Sequence, residues 1–280
     1  MGQFRLIVLV TVVSTAAVSV ATVFAQSGLP IDASVAAAPP ADFKPMLARI
    51  TGSAMRYEGE APDFICTEMI TRSEATAKNP PPPAIHWKQR DTVEEQLSFV
   101  EGHETHILIL LNGKPTRYTH ESLSGMRSDG LLQFVMVPSW IFGPQAKTHF
   151  NWVRWDMIGG RRVAVFSFEV PPSVSTRPLV NQPESFLVGY HGLIWAEPES
   201  GEMARLEAWM DAPKGFPFQE DAFEIDYGTV PIAGEDFLLP VRAVGHVRDG
   251  KLLAKNEIEF AGYRKYEAAA TVTFGEPTQP

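Results

Sequence analysis

Residues 192–209, GLIWAEPESGEMARLEAW, hold the reading that decides the fold. Pro198-Glu199-Ser200-Gly201 has the residue order of a type I turn closed by a glycine that accepts positive φ. Ile194 and Trp195 lie on one arm, and Leu206 and Trp209 lie on the other. The stretch therefore predicts a β-hairpin whose walls carry aliphatic and aromatic side chains.

The same grammar recurs on both sides of it. Val93, Glu95, Leu97 and Phe99 alternate with Thr92, Glu94, Gln96 and Ser98, then EGHE turns the chain, THILILL returns it and NGKP turns it again. THFNWVRWDM and RRVAVFSFEV flank IGG, and RDGK divides FLLPVRAVGHVRDGKLLAKNEIEFAGYRKY into two further strands. ATVTF, residues 270–274, reads as a last strand. Helical spacing occurs twice. Phe43, Met46, Leu47, Ile50 and Ala54 form one apolar stripe after Pro40, with Asp42 as cap and YEGEAPD as the break. In SDGLLQFVMVPSWIFG, Leu132, Val135, Met136 and Trp140 repeat the pattern, and Pro138 is expected to kink or end that helix. KNPPPP, residues 78–83, reads as a stiff loop. The expected class is α+β, mainly β: an antiparallel sheet with a few helices on one face.

Several strands are apolar on both sides. Ala164, Phe166 and Phe168 point one way while Val163 and Val165 point the other, and simple alternation sets Trp152 and Trp155 on opposite sides. Such a sheet needs cover on both faces, or it wraps around an apolar cavity.

The ends and the charge bound the setting. Leu6 to Ala25 carries no charge, and Val23-Phe24-Ala25 ends in the small residues that a signal peptidase reads. Residues 1–25 are thus expected to be a signal peptide cleaved before Gln26, the alternative being a single N-terminal membrane anchor. Residues 26–40 read as a flexible leader, 41–275 as one β-rich domain and 276–280 as a tail. The expectation is an exported, periplasmic or extracellular, monomeric protein. The formal net charge of −9 falls to −10 once Arg5 leaves with the signal peptide, and no basic stripe is present. Nucleic acid is excluded as a partner on that ground, and simple adhesion to anionic lipid is disfavoured. A lone cysteine, Cys66, cannot form an internal disulfide, and its apolar neighbours mark it as a core residue.

Motifs for chemistry are sparse. His103-Glu104-Thr105-His106 is one residue short of H-E-x-x-H and lies at a strand start, where positions three apart face opposite ways. Histidines 86, 120, 149, 191 and 246 are scattered, so neither a metal site nor a cofactor is expected. QEDAFEIDYG gathers Glu220, Asp221, Glu224 and Asp226 without the register of a calcium loop, and reads as a solvated acidic connection. GMRSDG lacks the spacing of a nucleophile elbow.

YEGEAPDFICTEMITR, LNGKP, LSGMRSDGLLQFV, SWIFGPQAKTHFNW, RVAVFSFEVP, YHGLIWAEPESGEMARLEA and DYGTVPIAGEDFLLPVRA, in that order, resemble a group of exported bacterial proteins. That group is distantly similar to the outer-membrane lipoprotein carriers and lipoprotein-sorting proteins, the LolA-like superfamily. The resemblance spans most of residues 55–275. It implies a strongly curved antiparallel sheet, an incomplete barrel closed by helices over an apolar cavity, which in the carriers takes acyl chains. Three readings follow. The first is a non-catalytic envelope carrier for a lipid or acyl chain, with Trp140, Phe142, Phe150, Trp152, Phe166, Phe168, Trp195 and Trp209 lining the cavity. The second is a module that binds an envelope protein through the same fold. The third is an enzyme using Glu220, Asp226 or a histidine as acid or base.

Overall fold

In chain order the elements are α1 (Lys44–Glu60), β1 (Phe64–Thr76), β2 (Lys88–Val100), β3 (His103–Leu111), β4 (Lys114–Pro115), α2 (Val137–Phe142), β5 (His149–Ile158), β6 (Arg161–Val170), β7 (Pro178–Asn181), β8 (Glu184–Leu187), β9 (Gly189–Ala196), β10 (Met203–Asp211), β11 (Glu220–Ile232), β12 (Glu235–Asp249) and β13 (Leu252–Lys265). This computed structural model describes residues 40–78, 84–118, 123, 135, 137–174, 178–181, 184–211, 213, 215 and 218–267. The expected signal peptide, most of the leader, the proline run at 79–83 and the strand at 270–274 lie outside those residues.

Eleven strands form one antiparallel sheet in the order β4-β3-β2-β1-β13-β12-β11-β10-β9-β6-β5, and β7 and β8 pair separately. Among the described residues, two joins link strands that are not consecutive: β1 with β13, and β6 with β9. The first seats the sheet's first strand in sequence beside its last, from Phe64↔Lys265 to Thr76↔Leu252. Register slips at Ile65/Thr67, Arg72/Ser73, Glu94/Glu95, Trp152/Arg154, Met203/Arg205 and Asp226/Tyr227 bend the strands. The sheet curves without closing, since β4 and β5 remain its edges.

Both helices cover the inner face. Met46, Ile50, Ala54 and Tyr57 of α1 are buried there, together with Val137, Ile141 and Phe142 of α2. Asp42 Oδ1 accepts the Lys44 N–H at 3.0 Å, a cap delivered from one position before the N-cap residue Phe43. The helix outruns the break expected at YEGEAPD and stops at Glu60, where Ala61 is already extended (ψ 122°). Pro62 follows Ala61, and the residue before a proline avoids helical backbone. The second helix differs more. Its described part begins at Val137, and Pro138 sits in the first turn, where no intrahelical N–H is required. Proline there starts the helix and does not end it. The N-terminal part of the expected helical stretch, residues 128–134, lies outside the described residues.

The hairpin of the opening stretch forms as β9 and β10, with Ala196↔Met203 and Ile194↔Leu206 in register. Gly201 has φ +79°, and a Cβ on it would fall 2.6 Å from the Arg49 carbonyl group. Glycine is therefore needed twice over, for the left-handed backbone and for the close docking of the turn on α1. Arg49 seals the contact by donating from Nε and Nη2 to the Pro198 carbonyl oxygen at 3.1 and 2.9 Å.

Candidate functional site

An aromatic wall occupies the inner face at the β5–β6 end. Phe166 and Phe168 of β6 are buried in the main core, as the alternation of RRVAVFSFEV requires, while Val163 and Val165 enter a small second cluster on the outer face. Phe142 of α2 stacks on Phe150 of β5, with centroids 5.2 Å apart. Trp152 meets Phe166 edge-on at 5.5 Å, and Phe43 meets the same ring at 5.8 Å. Gly192 makes room for the wall, because a Cβ there would lie 2.6 Å from the Phe168 ring.

Trp155 departs from simple alternation. The slip between Trp152 and Arg154 inserts one residue, so Trp155 returns to the face of Trp152. Their rings meet edge-on at 4.9 Å, and the Arg162 guanidinium lies 3.8 Å over Trp155.

Beside this wall, beneath α2, is a cavity of about 30 Å³ lined by Val137, Trp140, Ile141, Tyr190, Met210 and Phe223, among others. That volume suits about one water molecule, against the several hundred Å³ of a formed ligand pocket. The Tyr190 hydroxyl donates to the Trp140 carbonyl at 3.0 Å and ties α2 to β9.

Six of the eight residues predicted to line a cavity, Trp140, Phe142, Phe150, Trp152, Phe166 and Phe168, thus pack together against the inner core. Trp195 and Trp209 do not join them. Each sits on the hairpin one position from an inward residue, so each points outward. Trp195 is buried with Val163, Val165 and Ala204, and its indole N–H donates to Asp156 Oδ2 at 3.1 Å. Trp209 stacks on His191.

The acidic stretch QEDAFEIDYG is β11 and not a solvated connection. Phe223, Ile225 and Tyr227 face inward, and Glu224 and Asp226 are buried on the outer face. There Arg205, 1 % exposed, donates from Nε to Asp226 Oδ1 at 2.6 Å and lies 3.6 Å from Glu224. Arg242 donates to Glu224 at 2.9 Å and to Asp226 at 3.4 Å. Glu207 stands directly opposite Glu224, and burial followed by the Glu224 charge pushes it up to about 7. Glu220 pairs with Arg248 at 3.0 Å. Glu220 and Asp226, named for an acid–base role, therefore sit on the outer face paired with arginines, while Asp221 of the same stretch lines the cavity.

Sequence reasoning missed a second polar group, on the inner face of β1–β3. Glu68 and Glu95 are cross-strand partners, both essentially inaccessible to solvent. His106 Nδ1 donates to Glu68 Oε2 at 2.8 Å and lies 3.8 Å from Glu95 Oε2, while its Nε2 is 3.7 Å from Glu104 Oε2. The Val135 N–H holds Glu104 through Oε1 at 2.8 Å. Burial opposes a charged imidazole, yet the neighbouring Glu104 and Glu68 carboxylates outweigh it and push His106 up to about 10. Burial raises Glu104, and burial and the Glu68 charge raise the Cys66 thiol, which is the inert core residue expected. His103 is exposed on the opposite face. The signal available in the sequence was a glutamate at an inward position of each of three apolar strands.

No family model and no curated protein matches the chain. Among solved structures it is similar to a LolA superfamily protein from Nitrosomonas europaea, at 10 % identity over 79 % of this chain and 94 % of that one, with a TM-score of 0.30. It is similar also to a DUF1329 family protein from Desulfovibrio piger, at 8 % identity over 81 % and 95 % of the two chains, with a TM-score of 0.37. A third is an outer membrane lipoprotein-sorting protein domain from Vibrio parahaemolyticus, at 10 % identity over 76 % and 91 %, with a TM-score of 0.31. The functional reading rests on this chain's own residues.

Proposed function

We propose that the chain is an exported, non-catalytic binding or carrier protein for an apolar ligand, a lipid or acyl chain, of the bacterial envelope. The observation that supports this is the aromatic wall of Phe142, Phe150, Trp152, Phe166 and Phe168, with a separate, mainly apolar cavity under the same helix of six residues, lined by Trp140 of the predicted set. A cavity of about 30 Å³ admits no acyl chain as it stands. Binding requires α2 to lift from β9, at the cost of the Tyr190–Trp140 hydrogen bond and the Phe142–Phe150 stack. The signal peptide read over residues 1–25 supports export, and no helix among the described residues is long and apolar enough to cross a membrane.

A second reading, an envelope-protein interaction module, draws on the small cavity together with Met69, Ile107 and Ile109, exposed on the outer face of β1 and β3. Native mass spectrometry of the protein purified from periplasm without detergent separates the two. Lipid retained at one molecule per chain supports the carrier. A bare mass, unchanged after incubation with lipids, sinks it in favour of the module.

A further inference from the structure

We propose that Glu68, Glu95 and His106 form a binding site for one divalent first-row transition ion, with Glu104 as the carboxylate that orients the histidine. A ligand atom from each of the three residues lies within 4.8 Å of the other two. Donors on a tetrahedral zinc ion stand about 3.3–3.4 Å apart, so side-chain rotations that draw these atoms together by about 1.5 Å close the set. The three come from adjacent strands β1, β2 and β3, and the pairing Glu68↔Glu95 fixes two of them face to face. His106 Nδ1 now donates a proton to Glu68 beside Glu95, and a cation bound there would take the place of that proton between the two carboxylates.

The histidine has the arrangement of a metal ligand. Its Nδ1 faces Glu68 and Glu95, and its Nε2 faces Glu104. Metal-bound imidazoles characteristically direct the second ring nitrogen at a carboxylate, which sets the tautomer and raises basicity. Glu104 is itself anchored by the Val135 amide.

An independent observation also points to a ligand. The hydroxyls of Tyr57 and Tyr227, 6 % and 5 % exposed, have no hydrogen-bond partner among the described residues. Their rings meet edge-on at 5.8 Å, and after burial the Glu104 charge is among the causes that raise both phenols. Glu68 Oε1 is likewise buried without a hydrogen-bond partner. A buried carboxylate oxygen with no partner, within a set of converging donors, is a group that a bound cation satisfies. Two carboxylates and one imidazole select Zn²⁺, Mn²⁺ or Fe²⁺ over a soft cuprous ion. The site lies on different strands from the aromatic wall and stands whether or not the carrier reading does.

The test is calorimetric titration of the chelator-stripped full chain with Zn²⁺ and, separately, Mn²⁺. One equivalent is expected to bind at the cluster. Glu95→Gln and His106→Asn are expected to weaken binding by more than tenfold, and Glu104→Gln by about tenfold or more. His103→Ala, exposed on the other face, is expected to change nothing. Because core variants can lose the fold, nitrogen-detected imidazole NMR on the wild-type chain supplies the second readout. Zn²⁺ is expected to shift His106 alone among the seven histidines and to place the metal on its Nδ1. Absence of binding by either ion, binding abolished by His103→Ala, or a shift at a different histidine overturns the proposal.

Discussion

Replacing Glu207 by glutamine is expected to stabilise this protein, and increasingly so as the pH rises. Glu207 lies on the outer face of β10, directly opposite Glu224 on β11. Around the pair, Arg205 and Arg242 already balance Glu224 and Asp226. Glu207 is the odd carboxylate, and burial together with the Glu224 charge raises it from 4.5 to about 7. A carboxyl with a raised pKa in the fold keeps its proton where the unfolded chain has released it. Stability then falls as pH climbs, with no penalty below about 4.5 and the full penalty above about 7. A shift of this size corresponds to about 3 kcal/mol, which is the ceiling of the gain from Glu207→Gln. Glutamine keeps the shape, stays neutral throughout and offers Glu224 an N–H. At about 2–4 °C per kcal/mol for a domain of this size, melting at pH 8 is expected to rise by up to roughly 10 °C. At pH 4 the two proteins are expected to melt together. Urea melts of both across that range measure the difference directly. A gain that is independent of pH, or a loss at pH 8, refutes the electrostatic account of this face.

Two other perturbations probe the same sheet. Arg205→Ala removes the guanidinium from between Asp226 and Glu224 and leaves buried carboxylate behind. A loss of about 3–5 kcal/mol is expected in denaturant melts, and a value under about 1 kcal/mol shows that water reaches the network. His246 of β12 lies opposite Lys255, beside the Trp87 ring; burial and then the Lys255 charge lower it from 6.5 to about 4. Its contribution is complete above about pH 6.5 and is lost as the pH falls towards 4, to a total of about 3 kcal/mol. His246→Gln is therefore expected to flatten the acid limb of the stability curve by up to one proton, and an unchanged slope contradicts the burial of a neutral imidazole.

The hairpins, α1 and the inert cysteine were legible because each is written locally. Turn residues such as Gly201, the three- and four-residue spacing of Met46, Ile50 and Ala54, and the alternation of Ala164, Phe166 and Phe168 need no knowledge of what lies across the strand. Strict alternation failed at Trp155, since a bulge adds one residue with no glycine or proline to announce it. It was also overlooked where it applied. Trp195 follows Ile194, and Trp209 follows Ala208, so membership of one hairpin does not place these indoles on the inner wall. In QEDAFEIDYG the alternation of Phe223, Ile225 and Tyr227 with charged residues was present, but four acids in ten residues read more readily as solvent-exposed. What turned them into a buried strand was Arg205 and Arg242, which are distant in sequence and adjacent only in register.

The same reasoning explains why the inner polar cluster escaped notice while a false motif beside it drew attention. In HETH the two histidines face opposite ways, and rejecting them as a pair was sound. The true partners of His106 are Glu68 and Glu95, each an isolated charge at a position that alternation assigns to the core: Glu68 between Cys66 and Ile70, Glu95 between Val93 and Leu97. An acid at an inward position is costly unless something meets it, so each is a request for a partner on a neighbouring strand. Three such requests on three consecutive hairpin strands, with one histidine on the last, converge because hairpin connections make those strands neighbours. The informative pattern was thus a charge out of phase with its strand, repeated on the next, and not the local density of metal-binding residue types.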